Sequence, residues 1–92
     1  MPFDVEALGA DLVSFTAHKF YGPKGAGALY LRPRTPFVAQ MLGGSQERNR
    51  RAGTEDIAGA AGLAAALHLA EDERESRYAY VSELRDYLWT GL

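Results

Sequence analysis

The pattern of apolar and polar residues divides the chain into an early β-rich part and a late helical part. Apolar and β-favouring residues are concentrated in two runs, residues 12–17 and 28–31, separated by a segment rich in glycine and proline. This arrangement predicts two adjacent strands joined by a turn. Neither run has a clean polar face, which indicates strands covered on both sides, as in an α/β protein. Two strands do not form such a sheet unaided.

Helical spacing dominates the second half of the chain. Thr54 is suited to an N-cap, and the acidic Glu55 and Asp56 suit the first turn of a helix. Small apolar residues at helical steps then predict a narrow face that lets another element approach closely. The members of this face are Ile57, Ala60, Ala61, Ala64 and Leu67.

A second apolar stripe follows the charged run at residues 71–75. It is predicted to be core, and its members are Tyr78, Val81, Leu84, Leu88 and Trp89. Neither proline nor glycine occurs between Leu63 and Thr90. We therefore expect either one long, bent helix or two helices with a break near residues 71–76.

The remaining segments predict turns and loops. Residues 4–9 are typical of the last turn of a helix with Gly9 as its C-cap, or of a short ordered turn. Pro33 and Pro36 end the second strand. Residues 37–42 fit helix or strand equally well. Residues 43–53 predict a loop with the highest density of arginine in the chain; such arginines either hold a phosphate or carboxylate or are simply solvated.

Composition narrows the function classes. With 92 residues, 47% of them hydrophobic and 24% charged, the chain is one small globular domain at most. A net charge of -2 gives no reason to expect nucleic acid, and no run is apolar enough to cross a membrane. The first residues lack the pattern of a signal peptide, so a cytoplasmic location is expected. Without cysteine there are no disulfides or thiolate metal ligands, and no metal site is expected.

The strongest candidate chemistry lies at the end of the first run. In a strand, Ser14, Thr16 and His18 share one face, and Lys19 follows directly. A hydroxyl and an imidazole can donate to a phosphate, and a lysine can form a Schiff base with an aldehyde cofactor, which suggests pyridoxal 5'-phosphate (PLP). The alternative is an ordinary buried strand with a polar end. Residues 22–27 fail the P-loop pattern, because no Ser or Thr follows the lysine and a strand, not a helix, comes next.

Two segments resemble one known family. Residues 14–30, SFTAHKFYGPKGAGALY, and residues 43–56, GGSQERNRRAGTED, are similar in order and spacing to the cofactor-lysine segment and glycine-rich loop of cysteine desulfurases. These enzymes belong to the class V aminotransferase group of fold-type-I PLP enzymes. The resemblance implies an α/β fold in which residues 1–92 are part of the PLP-binding large domain: two adjacent strands, a loop, and a long helix or helix pair. The resemblance also implies that the N-terminal part of that domain and the C-terminal small domain are absent from this chain.

The resemblance also implies roles for four residues. Lys19 matches the lysine that forms the Schiff base with PLP and then takes the substrate α-proton. Thr16 and His18 match positions that contact the cofactor phosphate. Thr54 matches a threonine that reaches the phosphate of the partner subunit's cofactor across a homodimer. Asn49 and Ala52 stand where many family members have small residues such as glycine and serine, a mild departure that leaves the exact path of this loop open.

The implied parent reaction converts L-cysteine to L-alanine and passes sulfur, as a persulfide, to an acceptor or scaffold protein, often for iron-sulfur cluster assembly. The catalytic cysteine and the residues that hold the cofactor ring and the substrate carboxylate match no position here, so the isolated chain is expected to be inactive.

Two alternatives stay open. One is a selenocysteine lyase or another class V aminotransferase, and the other is a non-catalytic remnant that acts as an interaction module through its alanine-rich face.

Overall fold

A β-hairpin and a pair of helices form the main body of the protein. The computed structural model describes residues 3–92. The elements in chain order are β1 (Leu12–Thr16), β2 (Gly27–Leu31), β3 (Ser45–Gln46), β4 (Arg51–Ala52), α1 (Ile57–Asp72) and α2 (Arg74–Thr90). This order, two adjacent strands followed by a loop region and a helix pair, is the one that the sequence predicts.

The β1–β2 pair is antiparallel, with Leu12 opposite Leu31 and Thr16 opposite Gly27. Between the strands, Ala17–Phe20 forms a 3₁₀ turn, called here the lysine turn because it contains Lys19. The first strand thus ends at Thr16, and the prediction that His18 continues its polar face is wrong. The backbone bends there because the N–H groups of Tyr21 and Gly22 both return to the carbonyl of Ala17.

The N-terminal segment is a single capped turn, the second of the two predicted forms. The Asp4 carboxylate accepts the N–H groups of Glu6 (2.8 Å) and Ala7 (3.1 Å). Gly9 has φ +64°, and the N–H of Ala10 donates to the carbonyl of residue 5 at 3.2 Å. This is the bond pattern that ends helices with a left-handed glycine, so Gly9 has the expected cap position.

The basic segment is more ordered than the predicted loop. β3 and β4 pair in a small antiparallel hairpin, and residues 37–42 before it form neither helix nor strand. Glu47, Arg48 and Asn49 at its tip all have positive φ. Asn49 tolerates that region better than most side chains, and its Oδ1 accepts from the Ser45 hydroxyl. Asn49 is therefore accommodated at this position by local hydrogen bonding.

The helix pair begins and breaks at acidic residues. Asp56 is the N-cap of α1, and its carboxylate accepts the N–H of Gly59 at 2.9 Å. The prediction that Thr54 caps this helix is wrong, because the helix starts later and Asp56 is a stronger acceptor in the cap position. The helices meet at Glu73, whose ψ of 1° interrupts the helical path. A break near residues 71–76, one of the two predicted forms, is thus confirmed.

The face of α1 that packs against the hairpin contains glycine. A β-carbon on Gly62 would lie 2.9 Å from Pro23 Cγ, and one on Gly59 would lie 3.3 Å from Ala26 Cβ. These two glycines and Leu63, which is buried with Ala17 and Ala26, form the contact surface. The predicted alanine-rich face is exposed, with Ile57 77% exposed. The sequence pattern missed this because glycine has no apolar side chain to mark a buried face, although it allows the closest approach of two backbones.

The core is small. Its buried side chains are Ala17, Ala26 and Leu63, with Phe15 and Phe20 packed against them. The stripe on α2 is not part of it: Leu88 is 64% exposed and Trp89 80% exposed. The prediction of core positions along α2 is therefore wrong for this chain, because no other element of the described residues covers that face. Within residues 3–92, neither helix is long and apolar enough for a bilayer crossing.

Candidate functional site

Two polar side chains meet where β1 passes into the lysine turn. The Thr16 Oγ1 lies 3.0 Å from His18 Nδ1 and 3.3 Å from the carbonyl oxygen of Ala26. Thr16 is half-buried and His18 is exposed. The two residues predicted as phosphate donors are therefore brought together, although by a turn and not by a shared strand face.

The Thr16–His18 pair has few hydrogens available for hydrogen bonds. The Thr16 hydroxyl has one hydrogen. When it donates to the Ala26 carbonyl, His18 Nδ1–H donates to Oγ1, and the neutral ring then has only an acceptor at Nε2. When the hydroxyl donates to Nδ1 instead, Nε2 carries the hydrogen and faces outward as a donor. The pair can thus switch between two arrangements without moving a heavy atom.

Lys19 is the next residue of the turn and is exposed. Burial of Ala17 and two backbone hydrogen bonds fix the turn that contains Lys19. Ala17 is fully buried, its N–H donates to the Ala26 carbonyl at 3.0 Å, and its own carbonyl accepts from Gly22 at 2.8 Å. Thr16 and Ala17 both use the Ala26 carbonyl, so the position of the turn is tied to the start of β2.

Gly22 lets the chain leave the turn against α1. A β-carbon there would be 2.7 Å from Ala17 Cβ and 3.1 Å from Ala66 Cβ. No other residue type fits without displacement of the turn or the helix. Close backbone packing therefore sets the orientation of the lysine turn.

These residues fit the PLP group that the sequence suggests. A primary amine, a hydroxyl and an imidazole lie within four consecutive positions, and the exposed Lys19 and His18 are accessible to a ligand. Thr16 and His18 already share one hydrogen, and a phosphate oxygen is the kind of acceptor that both can serve. The donor set at this turn is therefore appropriate for a phosphorylated aldehyde.

Thr54 belongs to a different segment of the chain from Lys19. It is an exposed residue of the segment between β4 and α1, and among the described residues no hydrogen bond joins it to Thr16 or His18. Arg48, Arg50 and Arg51 are exposed as well. Within residues 3–92, neither Thr54 nor these arginines form a hydrogen bond with Thr16 or His18.

Sequence reasoning missed two residues next to this site. The ring of Tyr21 lies under the guanidinium of Arg77, with the Cζ atom 5.1 Å from the ring centroid. Tyr21 also has φ 67°, in the left-handed region that side chains disfavour. The sequence carries no signal for this contact, because Arg77 lies on α2 and its partner follows the lysine turn.

The sequence matches a known family along its whole length. The profile of the family described as aminotransferase class-V matches residues 1–92. The chain is 52% identical over 87 residues to a cysteine desulfurase IscS of Dictyoglomus turgidum, covering 95% of this chain and 22% of that protein. It is 50% identical over 94 residues to a cysteine desulfurase IscS of Anaeromyxobacter dehalogenans, covering 100% of this chain and 23% of that protein.

A solved structure described as a NifS-like protein has the same fold. It superposes with a TM-score of 0.94 at 41% identity, over 100% of this chain and 25% of that structure. The α/β fold class predicted from the sequence is thereby confirmed. The chain spans about a quarter of the length of the relatives it matches. Because the family profile covers all its residues, this chain belongs to the class-V aminotransferase family.

Proposed function

We propose that this chain carries the cofactor-lysine segment of a PLP-dependent cysteine desulfurase. The whole enzyme would convert L-cysteine to L-alanine and pass sulfur, as a persulfide, to an acceptor or scaffold protein for iron-sulfur cluster assembly. The observation that carries the proposal is the Thr16–His18 donor pair directly before Lys19 in a class-V aminotransferase. The names of both curated relatives support cysteine as the substrate.

Thr16 and His18 would bind the cofactor phosphate. In the arrangement with the hydrogen on Nε2, His18 has a donor that points away from Thr16, and an anion at that atom favours this arrangement over the one in which Nε2 is an acceptor. A phosphate that accepts from the Thr16 hydroxyl competes with the Ala26 carbonyl, 3.3 Å away. With a neutral ring the pair offers the phosphate one donor at a time: Nε2–H when the Thr16 hydrogen goes to Nδ1, or the Thr16 hydroxyl when Nδ1–H donates to Oγ1. In either arrangement a charged acceptor takes the place of a weaker neutral partner.

Lys19 would hold the cofactor through its ε-amine and, once the substrate amine has displaced it, receive the substrate α-proton at Nζ. When bound, PLP supplies the electron sink that stabilises the charge left at the α-carbon. The turn contributes position: Ala17 and Gly22 fix the backbone on either side of Lys19. Proton transfer needs that fixed placement, because a general base acts only within hydrogen-bonding reach.

Thr54 would act across a subunit boundary. Its hydroxyl would contact the phosphate of the partner subunit's cofactor in a homodimer, and among the described residues it makes no hydrogen bond to Thr16 or His18 that would use it within one chain. Asp56, and not Thr54, caps α1, so the Thr54 hydroxyl is not needed by the helix. The cytoplasmic location expected from the sequence remains a prediction.

A chimera tests the proposed reaction. The 87 matching residues of the Dictyoglomus turgidum protein are replaced by those of this chain, and alanine and sulfide release from L-cysteine are measured. We expect activity in the chimera and none in the same chimera with Lys19→Ala. A folded chimera that binds PLP but releases neither product would contradict the proposal.

Selective modification tests the site in the chain itself. Lys19 and Lys24 are its two lysines, so Lys24 serves as an internal control for the reactivity of Lys19. The chain is mixed with PLP, treated with borohydride, and the pyridoxyl adducts are located by peptide mass spectrometry. We expect the Lys19 to Lys24 adduct ratio to be higher with PLP than with phosphate-free pyridoxal, and to fall when inorganic phosphate is added. Equal ratios for both aldehydes would contradict a phosphate site at Thr16 and His18.

A second candidate function is an interaction module without catalysis. The exposed alanine-rich face of α1 and the exposed stripe of α2 favour it, since both are apolar surfaces that a partner would cover. Size-exclusion chromatography with light scattering separates the candidates. A monodisperse monomer counts against the module, and a defined complex with a full-length relative supports it.

A further inference from the structure

Tyr21, the residue after the lysine turn, has an unusual backbone conformation. Its φ of 67° and ψ of 14° lie in the left-handed region, where a β-carbon crowds the following carbonyl. In this conformation its N–H donates to the Ala17 carbonyl, which also accepts from Gly22. The hydrogen bonds that close the turn around Lys19 therefore depend on Tyr21 keeping a conformation that its own side chain disfavours.

The side chain of Tyr21 is held from outside the hairpin. The guanidinium of Arg77 lies over its ring at 5.1 Å, within the range of a cation–π interaction. The Nε of Arg77 also donates to Glu73 Oε2 at 2.7 Å. Glu73 is the residue at which α1 and α2 break. A chain of contacts thus runs from the break in the helix pair to the end of the lysine turn.

The space behind this contact is open. A cavity of about 240 Å³ lies between the lysine turn and the two helices, lined by Gly22, Gly62 and Ala66 and bounded by Tyr21 and Arg77. Among the residues that line this space, Arg77 is the one that belongs to α2. Its contact with Tyr21 is therefore the link between the turn and α2 across the cavity.

We propose that Tyr21 and Arg77 are positioning residues for Lys19. The ring–guanidinium contact holds Tyr21 in the left-handed conformation and keeps the lysine turn closed. It thereby sets where the turn presents Lys19 relative to the Thr16–His18 pair. The catalytic meaning of this placement rests on the proposed function, whereas the closure of the turn does not.

Hydrogen exchange of the Gly22 amide tests the closure of the turn. In Arg77→Gln we expect this amide to exchange about two- to fivefold faster, the range given by an exposed cation–π contact. The matched control is Arg74→Gln, which removes ion pairs to Glu71 and Glu75 at the same helix break but has no contact with Tyr21. The Leu63 amide reports general destabilisation, and its exchange should be the same in both variants. Unchanged Gly22 exchange in Arg77→Gln would overturn the proposal.

The ratio of Lys19 to Lys24 adducts tests the consequence for the site. We expect the ratio with PLP to fall in Arg77→Gln and in Tyr21→Ala. Tyr21→Phe keeps the ring and should retain the wild-type ratio, and Arg77→Lys keeps a cation and should recover part of it. A structural role alone predicts no such rescue pattern.

The two proposals fail in different ways. If the wild-type chain shows no phosphate-dependent preference for Lys19, the proposed function is contradicted, and exchange at Gly22 still decides the role of the Tyr21–Arg77 contact. If the preference is present and stays the same in Arg77→Gln, the positioning role is wrong and the proposed function stands.

Discussion

At the scale of single residues, the hydroxyl of Thr16 limits what the site can do. It has one hydrogen and two acceptors in reach, His18 Nδ1 and the Ala26 carbonyl. The choice between them decides whether His18 presents a donor or an acceptor at Nε2. The chemistry of the imidazole therefore depends on a neighbour that need not touch the reacting atoms.

Replacement of His18 by two amides separates its two nitrogens. The amide nitrogen of His18→Gln reaches about as far as Nε2, while that of His18→Asn lies near Nδ1. We expect His18→Asn to lower the PLP-dependent preference for Lys19 about fivefold, the effect of about 1 kcal/mol of hydrogen bonding. His18→Gln should lose less. Adduct mapping with PLP and pyridoxal measures both variants, and a greater loss in His18→Gln would contradict an Nε2 donor.

Gly22→Ala tests the close packing under the lysine turn. The new methyl group would meet Ala17 Cβ at 2.7 Å and Ala66 Cβ at 3.1 Å. We expect a loss of about 1–3 kcal/mol in the free energy of unfolding, typical of overpacking. Urea unfolding followed by circular dichroism measures it. Gly44→Ala, which has no neighbour within 4 Å, is the control and should change stability by less than about 0.5 kcal/mol.

At the scale of elements, Asp56 and Thr54 should contribute differently to the stability of α1, because Asp56 is its N-cap. Asp56→Ala removes the acceptor of the Gly59 N–H, and we expect it to cost about 1 kcal/mol and to fray the first turn. Thr54→Ala should leave helix content unchanged. Circular dichroism and amide exchange at Gly59 provide the comparison. An equal loss of helix stability in Asp56→Ala and Thr54→Ala would indicate that Thr54 also caps α1.

The sequence predicts the elements where the signal is local. The hairpin, the left-handed Gly9 and the break between the helices follow from residues close to one another in the chain. Thr16 and His18 also meet because they are two positions apart. The buried face of α1 was mispredicted because its glycines carry no apolar side chain, and the Tyr21–Arg77 contact joins distant elements and leaves no periodic trace.

At the scale of the whole molecule, the chain is extended. Its radius of gyration is 17.5 Å, against about 12 Å for a compact domain of this length. Its accessible surface is 7911 Å², whereas a compact protein of 10.0 kDa exposes about 5200 Å². Since burial of apolar surface is the main stabilising contribution, we expect the isolated chain to unfold at low urea concentration with a shallow slope.

The exposed leucines of α2 and the buried Leu63 should respond differently to substitution. Leu84→Ser and Leu88→Ser lie on the exposed stripe of α2, and we expect each to change the free energy of unfolding by less than about 0.5 kcal/mol while reducing self-association. Leu63→Ala removes a buried side chain and should cost about 2–5 kcal/mol. Urea unfolding and light scattering measure the two effects. A destabilised Leu88→Ser monomer would place the stripe in a core.

The closeness of Thr16, at the end of β1, to His18 and Lys19 in the lysine turn has a kinetic consequence. Bringing these groups together closes only a few residues of chain, whereas Thr54 lies beyond the second hairpin, and the entropy of closure grows with the length of the enclosed segment. Loops of about ten residues close within about 10–100 ns. The contact between Thr16 and His18 can therefore form early in folding, before any distant segment has docked.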